Sequence, residues 1–299
     1  MTSAPIVLFL YNRPDHARRT VEALQRNERA GQSMLFVFCD GPRTAQDAPA
    51  VEAVRDFART ITGFAEIHVI ERERNLGLSA SIIDGVSDIC RRFGRVVVLE
   101  DDLVTAPHFL RYMNDALDLY AADERVIAVQ GYVFPVAASL PETFFLKDPG
   151  CWGWATWERG WALFDSDGPR HLAAIRRSHR EREFDMDGGS PYVAMLEDQI
   201  AGKNNSWAIL WYASAFLRGK LTLHPGMSLV QNVGFDGSGT HTGVSTDFAV
   251  ALADRPVTVA PVPVEENLVA RQAISAYLSG LRPSGITRLL RRLARKVRG

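Results

Sequence analysis

Cysteine is scarce in this chain: Cys39, Cys90 and Cys151 are the only three in 299 residues, and no two are close in sequence. An odd, dispersed set excludes a disulfide framework and a clustered zinc site, and it fits a reducing compartment. No apolar run approaches the ~20 residues needed to cross a bilayer. The N-terminus passes into a strand pattern by Pro5 without the basic stretch and cleavage site of a signal peptide, so a cytoplasmic protein is expected. Charge of one sign is missing as well. A net charge of -1 leaves no basic excess for a surface that neutralises phosphates, and no nucleic-acid partner is expected. There is no internal repeat, low-complexity block or linker. Neither a Walker loop nor a Gly-x-Gly-x-x-Gly follows the first strand, which removes the two commonest nucleotide cradles.

What is present is a globular composition, 46% hydrophobic and 23% charged, enough for a sizeable core. Four apolar runs, Ile6 to Leu10, Met34 to Cys39, Glu66 to Ile70 and Arg95 to Leu99, are separated by helix-length segments. Those segments carry apolar residues at helical spacing: Ala17, Val21 and Leu24 in Asp15 to Arg26; Val51, Val54 and Phe57 in Ala48 to Thr60; Ile82, Val86 and Ile89 in Leu78 to Phe93. Such βαβα alternation predicts an α/β fold with an open, mostly parallel sheet. Right-handed crossovers place its ligand crevice at the carboxyl ends of the strands. Polar clusters fall at all four ends: Tyr11-Asn12-Arg13, Asp40-Gly41, Arg72 to Gly77 and Glu100-Asp101-Asp102.

The last cluster is the most informative. Three adjacent carboxylates repel one another unless a cation sits beside them, and hard oxygen ligands at a strand end suit Mg2+ or Mn2+ that also meets a substrate's phosphates. The plain alternative is that Asp101 and Asp102 decorate the next helix, with Thr105 as cap and Pro107 in its first turn.

Beyond residue 105 the pattern changes. Helices are expected over Ala106 to Tyr120, Tyr192 to Gly202, Trp207 to Leu217 and Val264 to Leu278, a strand over Val126 to Val129, and an extended segment over Pro256 to Pro263. Four tryptophans crowd into residues 151 to 161. Trp152 and Trp154 cannot share a helical face with Trp157 and Trp161, so they are expected to line a groove whose flat apolar faces suit a sugar's CH surface, while Trp157 and Trp161 suit burial. A glycine-rich stretch, Val230 to Gly243, surrounds His241 and reads as a loop that closes over a ligand.

The last sixteen residues carry Arg288, Arg291, Arg292, Arg295, Lys296 and Arg298 and no acid. Against that face Ile286, Leu289, Leu290, Leu293 and Val297 recur at helical spacing, the pattern of a helix lying on an anionic membrane surface. A partner-docking helix or a frayed tail are the alternatives. The expected organisation is residues 1–105 as the half that holds the phosphate site, 106–282 as a second half of different pattern, and 283–299 as a basic amphipathic tail.

The order Tyr11-Asn-Arg13, Asp40-Gly41, Arg74-Asn-Leu-Gly77 and Glu100-Asp-Asp102 resembles the nucleotide-sugar-binding half of the GT-A glycosyltransferases, whose acidic DxD motif sits at this place. The resemblance covers about the first 105 residues well and the rest loosely. It implies that Tyr11, Asn12, Arg13, Asp40, Arg74, Asn75, Gly77 and Asp101 bind the donor, with Asp40 accepting the N3–H of a pyrimidine base. It further implies that Asp102 binds the Mn2+ or Mg2+, although Glu-Asp-Asp departs from a strict Asp-x-Asp. The donor implied is a nucleoside-diphosphate sugar, with a UDP-sugar foremost, and the acceptor a glycan or lipid-linked glycan. In inverting relatives a carboxylate of the second half takes the acceptor's proton, and Glu197-Asp198 matches, with Asp198 as base; a solvent-facing acidic pair is the plain reading. His241, with His224 as competitor, is the candidate third metal ligand. A sugar-1-phosphate nucleotidyltransferase is the second reading, though Leu10 to Pro14 is not its glycine-rich loop. A non-catalytic glycan- or membrane-binding protein of the same fold is the third.

Overall fold

The computed structural model describes residues 3–238 and 244–281. His241 and the basic tail from residue 283 lie outside the described residues. The first half alternates strands β1 (Ile6–Leu10), β2 (Met34–Cys39), β3 (Glu66–Glu71) and β4 (Arg95–Glu100) with helices α1 (Pro14–Gln25), α2 (Ala48–Arg59) and α3 (Leu78–Phe93). These are the four strands and three helices that the periodicity predicts, to within a residue or so at each end. There follow β5 (Leu103–Thr105), α4 (Phe109–Leu119), β6 (Val126–Gln130), β7 (Thr143–Leu146), β8 (Trp154–Trp157) and α5 (Glu158–Trp161). The chain continues through α6 (Gly168–Arg177), α7 (Glu181–Phe184), α8 (Tyr192–Ile200), α9 (Trp207–Leu217), β9 (Leu221–Pro225), β10 (Val230–Asn232) and α10 (Leu268–Gly280).

Eight strands form one sheet in the order β3-β2-β1-β4-β8-β6-β9-β7. The β3-β2-β1-β4 half is parallel, whereas β8 runs antiparallel to both β4 and β6. The sheet is therefore mixed, and it passes without a break from the first half of the chain into the second. Because β2 and β4 lie on opposite sides of β1, the chain reverses its winding there, which opens a crevice beyond the ends of β1 and β4.

Strand alternation divides the core. Ile6, Leu8 and Leu10 point to the side covered by α1, α2 and α4, while Val7 and Phe9 point to the side covered by α3 and α9. All five are buried, each worth about 1.5–3 kcal/mol for a large apolar side chain removed from water. The same rule sets the tryptophans. On β8, Trp154 turns to the α3 and α9 side, where it stacks on Trp207 with ring centres 5.4 Å apart, and it is 0% exposed. Trp154 was expected to line a groove; it is core, because its strand is sandwiched between β4 and β6 and its ring has no route to solvent. Trp157 and Trp161 are buried as expected.

Helix α4 begins at Phe109 rather than Ala106, since residues 103–105 form β5 and pair with β10. Asp101 and Asp102 are thus no helix cap, and Thr105 instead accepts a hydrogen bond from Asn27 Nδ2 at 3.0 Å. Helix α9 matches its predicted bounds, and α10 starts at Leu268, four residues late. No described helix is long and apolar enough to cross a membrane.

Candidate active site

At the end of β4 the chain turns through Asp101 and Asp102 into β5, a turn held from both sides. Thr20 Oγ1 of α1 donates to the Asp101 carbonyl at 2.7 Å, and the Val233 N–H donates to the Asp102 carbonyl at 2.8 Å. Above it, Arg13 leaves β1 and spreads its guanidinium over both acids: Nε lies 3.3 Å from Asp101 Oδ2 and Nη2 2.8 Å from Asp102 Oδ2. One guanidinium faces three carboxylates. Burial, with Asp102 and Asp101 beside it, drives the Glu100 carboxyl well above the usual carboxylate range. Burial likewise lifts Asp101 to about 6 even though Arg13 pulls it down. Burial alone would lower Arg13, but Asp101 and Asp102 raise it, so it stays a cation. The corner carries an excess of negative charge, and Glu100, Asp101 and Asp102 all line one cleft of about 300 Å³.

Asp40 organises the neighbouring wall. It is 7% exposed, and its carboxylate accepts from the N–H groups of Gly41 (3.0 Å), Leu76 (2.9 Å) and Gly77 (2.9 Å). Two of these charge-assisted bonds, from Leu76 and Gly77, fix the 74–77 loop to the end of β2, and the Gly41 bond turns the carboxylate toward it. Asn75 adds a third tie through Nδ2 to the Gly41 carbonyl at 2.9 Å. Most of the carboxylate's acceptor capacity is therefore spent inside the protein, which leaves room for a single further donor such as the N–H of a base. Tyr11 sits across the cleft, its hydroxyl accepting from the Arg43 N–H at 3.1 Å, and Asn12 Nδ2 reaches Asp47 Oδ1 at 3.4 Å.

Tyr11, Asn12, Arg13, Asp40, Asn75, Gly77, Asp101, Asp102 and Trp152 are brought together in this cleft. Arg74 is not: it is exposed and does not line the wall, whereas Arg43 does. Sequence reading passed over Arg43 because it follows the Asp40-Gly41-Pro42 turn at a position where an exposed basic residue is unremarkable. Asn205 and Asn232 also line the cleft without having been singled out. Both come from the second half of the chain, and only tertiary structure carries them there.

Glu197 and Asp198 line neither this cleft nor the aromatic cavity beside it. Their side chains are 44% and 49% exposed on α8, Glu197 paired with Arg176 and Asp198 with Lys203 Nζ at 2.9 Å. His224 does not line the acidic cleft either; it belongs to the wall of the aromatic cavity. Its Nε2 donates to the Asp148 carbonyl at 2.9 Å, its ring stacks on Phe144, and burial holds its pKa down at about 4, so it is a neutral structural group.

Could the corner hold a dication? Among the described residues no three His, Cys, Asp or Glu side chains converge as a ready metal cage. The donor set nevertheless fits a hard cation: carboxylate oxygens in excess over cations, with Asp102 partly exposed toward the cleft. Gly234 keeps that space open, since a Cβ there would lie 2.2 Å from Asp102 Oδ2. The protein's share of ligands is small, the situation in which substrate phosphates and water complete the shell.

No family model matches the chain, and no curated protein does. Solved structures with some likeness include the mannosyltransferase PcManGT from Pyrobaculum calidifontis in complex with GDP-Man and Mn2+. It is 14% identical at a TM-score of 0.40, over 72% of this chain and 69% of that one. Another is TarS from S. aureus, 13% identical at a TM-score of 0.33, over 54% of this chain and 29% of that one. Both are too distant to define the chemistry of this chain.

Proposed function

We propose that this protein is a metal-dependent, inverting glycosyltransferase of the GT-A type, moving a sugar from a nucleoside-diphosphate sugar to a hydroxyl of a glycan or lipid-linked glycan. The observation that carries the reading is the acidic corner itself. Three carboxylates with one guanidinium sit where a doubly wound sheet changes winding, which is where such sheets bind nucleotides. Buried acids with one guanidinium between them are costly to keep ionised, as the raised Glu100 and Asp101 show, unless a cationic partner uses them.

In this reading the base lies along Tyr11, Asn75 and Asp40, with one donor of the base reaching the free acceptor position of Asp40. A UDP-sugar is the foremost candidate, because uracil presents a single N–H between its carbonyls. Arg13 and Arg43 meet the diphosphate, and Asp101 meets the ribose or donor sugar. Asp102 holds Mn2+ or Mg2+, and His241 is its further candidate ligand. When bound, such an ion supplies Lewis-acid neutralisation of the leaving diphosphate, worth several kcal/mol in the transition state. With an ion held at Asp102, Arg13 would give up part of its contact there and its guanidinium would be available to phosphate.

A sugar-1-phosphate nucleotidyltransferase is disfavoured because Pro14 opens α1 directly after Arg13, leaving no glycine-rich loop at that end. A non-catalytic relative remains the other reading. The amphipathic pattern of 284–299 supports contact with an anionic membrane face, which suits a lipid-linked acceptor. The test is donor turnover: UDP-, GDP- and dTDP-sugars are incubated with Mn2+, and released nucleoside diphosphate is measured. Release by the wild type that is lost in Asp102→Ala is expected; binding without any release, across many acceptors, points to the non-catalytic protein.

A further inference from the structure

Beside the acidic cleft lies a second cavity of about 380 Å³ walled by Tyr132, Phe134, Tyr192, Tyr212 and Phe248. Trp152 belongs to the walls of both, so the two spaces are neighbours across this residue. The ring is held edge-on by Tyr132, Phe235 and Phe248, with centroids 4.7, 5.6 and 5.5 Å away. Flat apolar faces of this kind suit the CH face of a sugar or an aryl or prenyl group.

Among the described residues a single carboxylate faces this cavity, that of Asp148. Its orientation is built in. The Gly150 N–H donates to Asp148 Oδ1 at 3.1 Å, closing a tight turn. Gly150 takes φ +57, and a Cβ there would lie 1.7 Å from Gln130 Nε2, so the turn is packed against β6 and cannot relax sideways. His224 fixes the Asp148 carbonyl from below. Cys151, in the same turn, is the neighbour common to both sites: Glu100 and Asp102 act on its thiol from the acidic corner and Asp148 from the aromatic cavity.

We infer that the aromatic cavity is the acceptor site and that Asp148 is the general base of the transfer. The inference rests on the glycosyltransferase reading above. The acceptor's sugar or aglycone stacks on Trp152 with its hydroxyl toward Asp148. As the acceptor oxygen forms its bond to the anomeric carbon, its proton passes to the carboxylate of Asp148. The bond from that carbon to the diphosphate oxygen breaks, and the electron pair leaves with the phosphate. Burial raises the Asp148 carboxyl above its ordinary range, against the pull of Gly150 N–H and Arg271, and that makes it a better base. The groups that face it are Cys151, Tyr192 of α8, Tyr212 of α9, His224 of β9 and Arg271 of α10, of which Arg271 is the fixed charge.

The experiment uses the full chain with Mn2+, a UDP-, GDP- and dTDP-sugar panel as donors, and p-nitrophenyl glycosides as acceptor probes. Donor binding and glycoside product are measured separately. Asp148→Asn is expected to keep donor binding and lose transfer by about 10²-fold or more, the usual worth of a positioned base. Asp148→Glu should restore part of it. The wild-type rate should fall with decreasing pH on a limb above the ordinary carboxylate range, and that limb should vanish in Asp148→Asn. Trp152→Ala should raise KM for the glycoside and leave that for the donor. Undiminished transfer by a folded Asp148→Asn, or transfer lost in Asp198→Asn and kept in Asp148→Asn, overturns the assignment and leaves the glycosyltransferase reading standing. A wild type that neither binds nor consumes any donor overturns both.

Discussion

Arg13 Nη2 lies 2.8 Å from Asp102 Oδ2, so the carboxylate assigned to a metal is already held by a cation of the protein's own. The same guanidinium holds Asp101, whose side chain is only 8% exposed. Arg13 is thus the protein's own counter-ion for both acids, and on the proposal above a dication at Asp102 would displace part of that contact.

Removing Arg13 should therefore hurt most when no metal is present. Arg13→Ala is expected to lose on the order of 3 kcal/mol of stability in metal-free buffer, the usual cost of stranding buried charge. Millimolar Mn2+ should recover a good part of it. Urea unfolding with and without Mn2+ measures this, and equal stability of variant and wild type in metal-free buffer contradicts it.

Gly234→Ala tests the same corner by shape. Its Cβ would fall 2.2 Å from Asp102 Oδ2 and 3.2 Å from Arg13 Nη1, so the carboxylate must swing away. Loss of metal-dependent nucleotide binding with the fold retained is expected by calorimetry and circular dichroism. Wild-type affinity would mean that the position of Asp102 does not matter.

Asp40→Ala leaves the N–H groups of Gly41, Leu76 and Gly77 without their acceptor. At about 1–3 kcal/mol for a buried polar group left unpaired, a loss of several kcal/mol is the upper range, reduced where water reaches the loop. Limited proteolysis should cut near residues 72–78 faster than in wild type. A loop no more sensitive than before would show that Asp40 does not anchor it.

His224 governs a separate response to acid. Burial depresses its pKa to about 4, below the ~6.5 of an unfolded chain. Between those values the unfolded chain binds the extra proton and the native state does not, so stability rises with pH through the window and is lost as pH falls from about 6.5 to 4. The loss amounts to on the order of 3 kcal/mol once the pH has fallen to about 4 or below. His224→Gln should be less stable at pH 7 and show a shallower fall toward pH 4. An unchanged slope in urea titrations across that range would contradict a buried neutral imidazole.

The first half of the fold was legible because strand and helix periods are local: β1 to β4 and α1 to α3 each carry their own apolar spacing, and the polar residues at the strand ends follow from it. The acidic trio announced itself by its position at the end of an apolar run. What could not be read was pairing at a distance. β8 joins β4 and β6 and so buries Trp154, although Trp152 and Trp154 look alike in sequence. β5 and β10 are three residues each and exist only through each other. Asp148 lies beside Pro149 in an unremarkable turn, and nothing in its neighbours' spacing shows that a cavity opens in front of it. Asp198 was legible as an acid on a helix, yet the direction it faces, toward Lys203 and solvent, is set by how α8 packs on α6 and α9.

The measurement that tests the central claim most directly is a thermal melt of the wild type and Asp102→Ala with UDP, GDP, dTDP and CMP, each with and without Mn2+. A ligand that binds only the native state raises the melting point by mass action. One nucleoside diphosphate is expected to raise it strongly with Mn2+, weakly without, and hardly at all in Asp102→Ala. Equal stabilisation with and without the ion, or in the variant, would contradict a metal-bridged diphosphate at the end of β4.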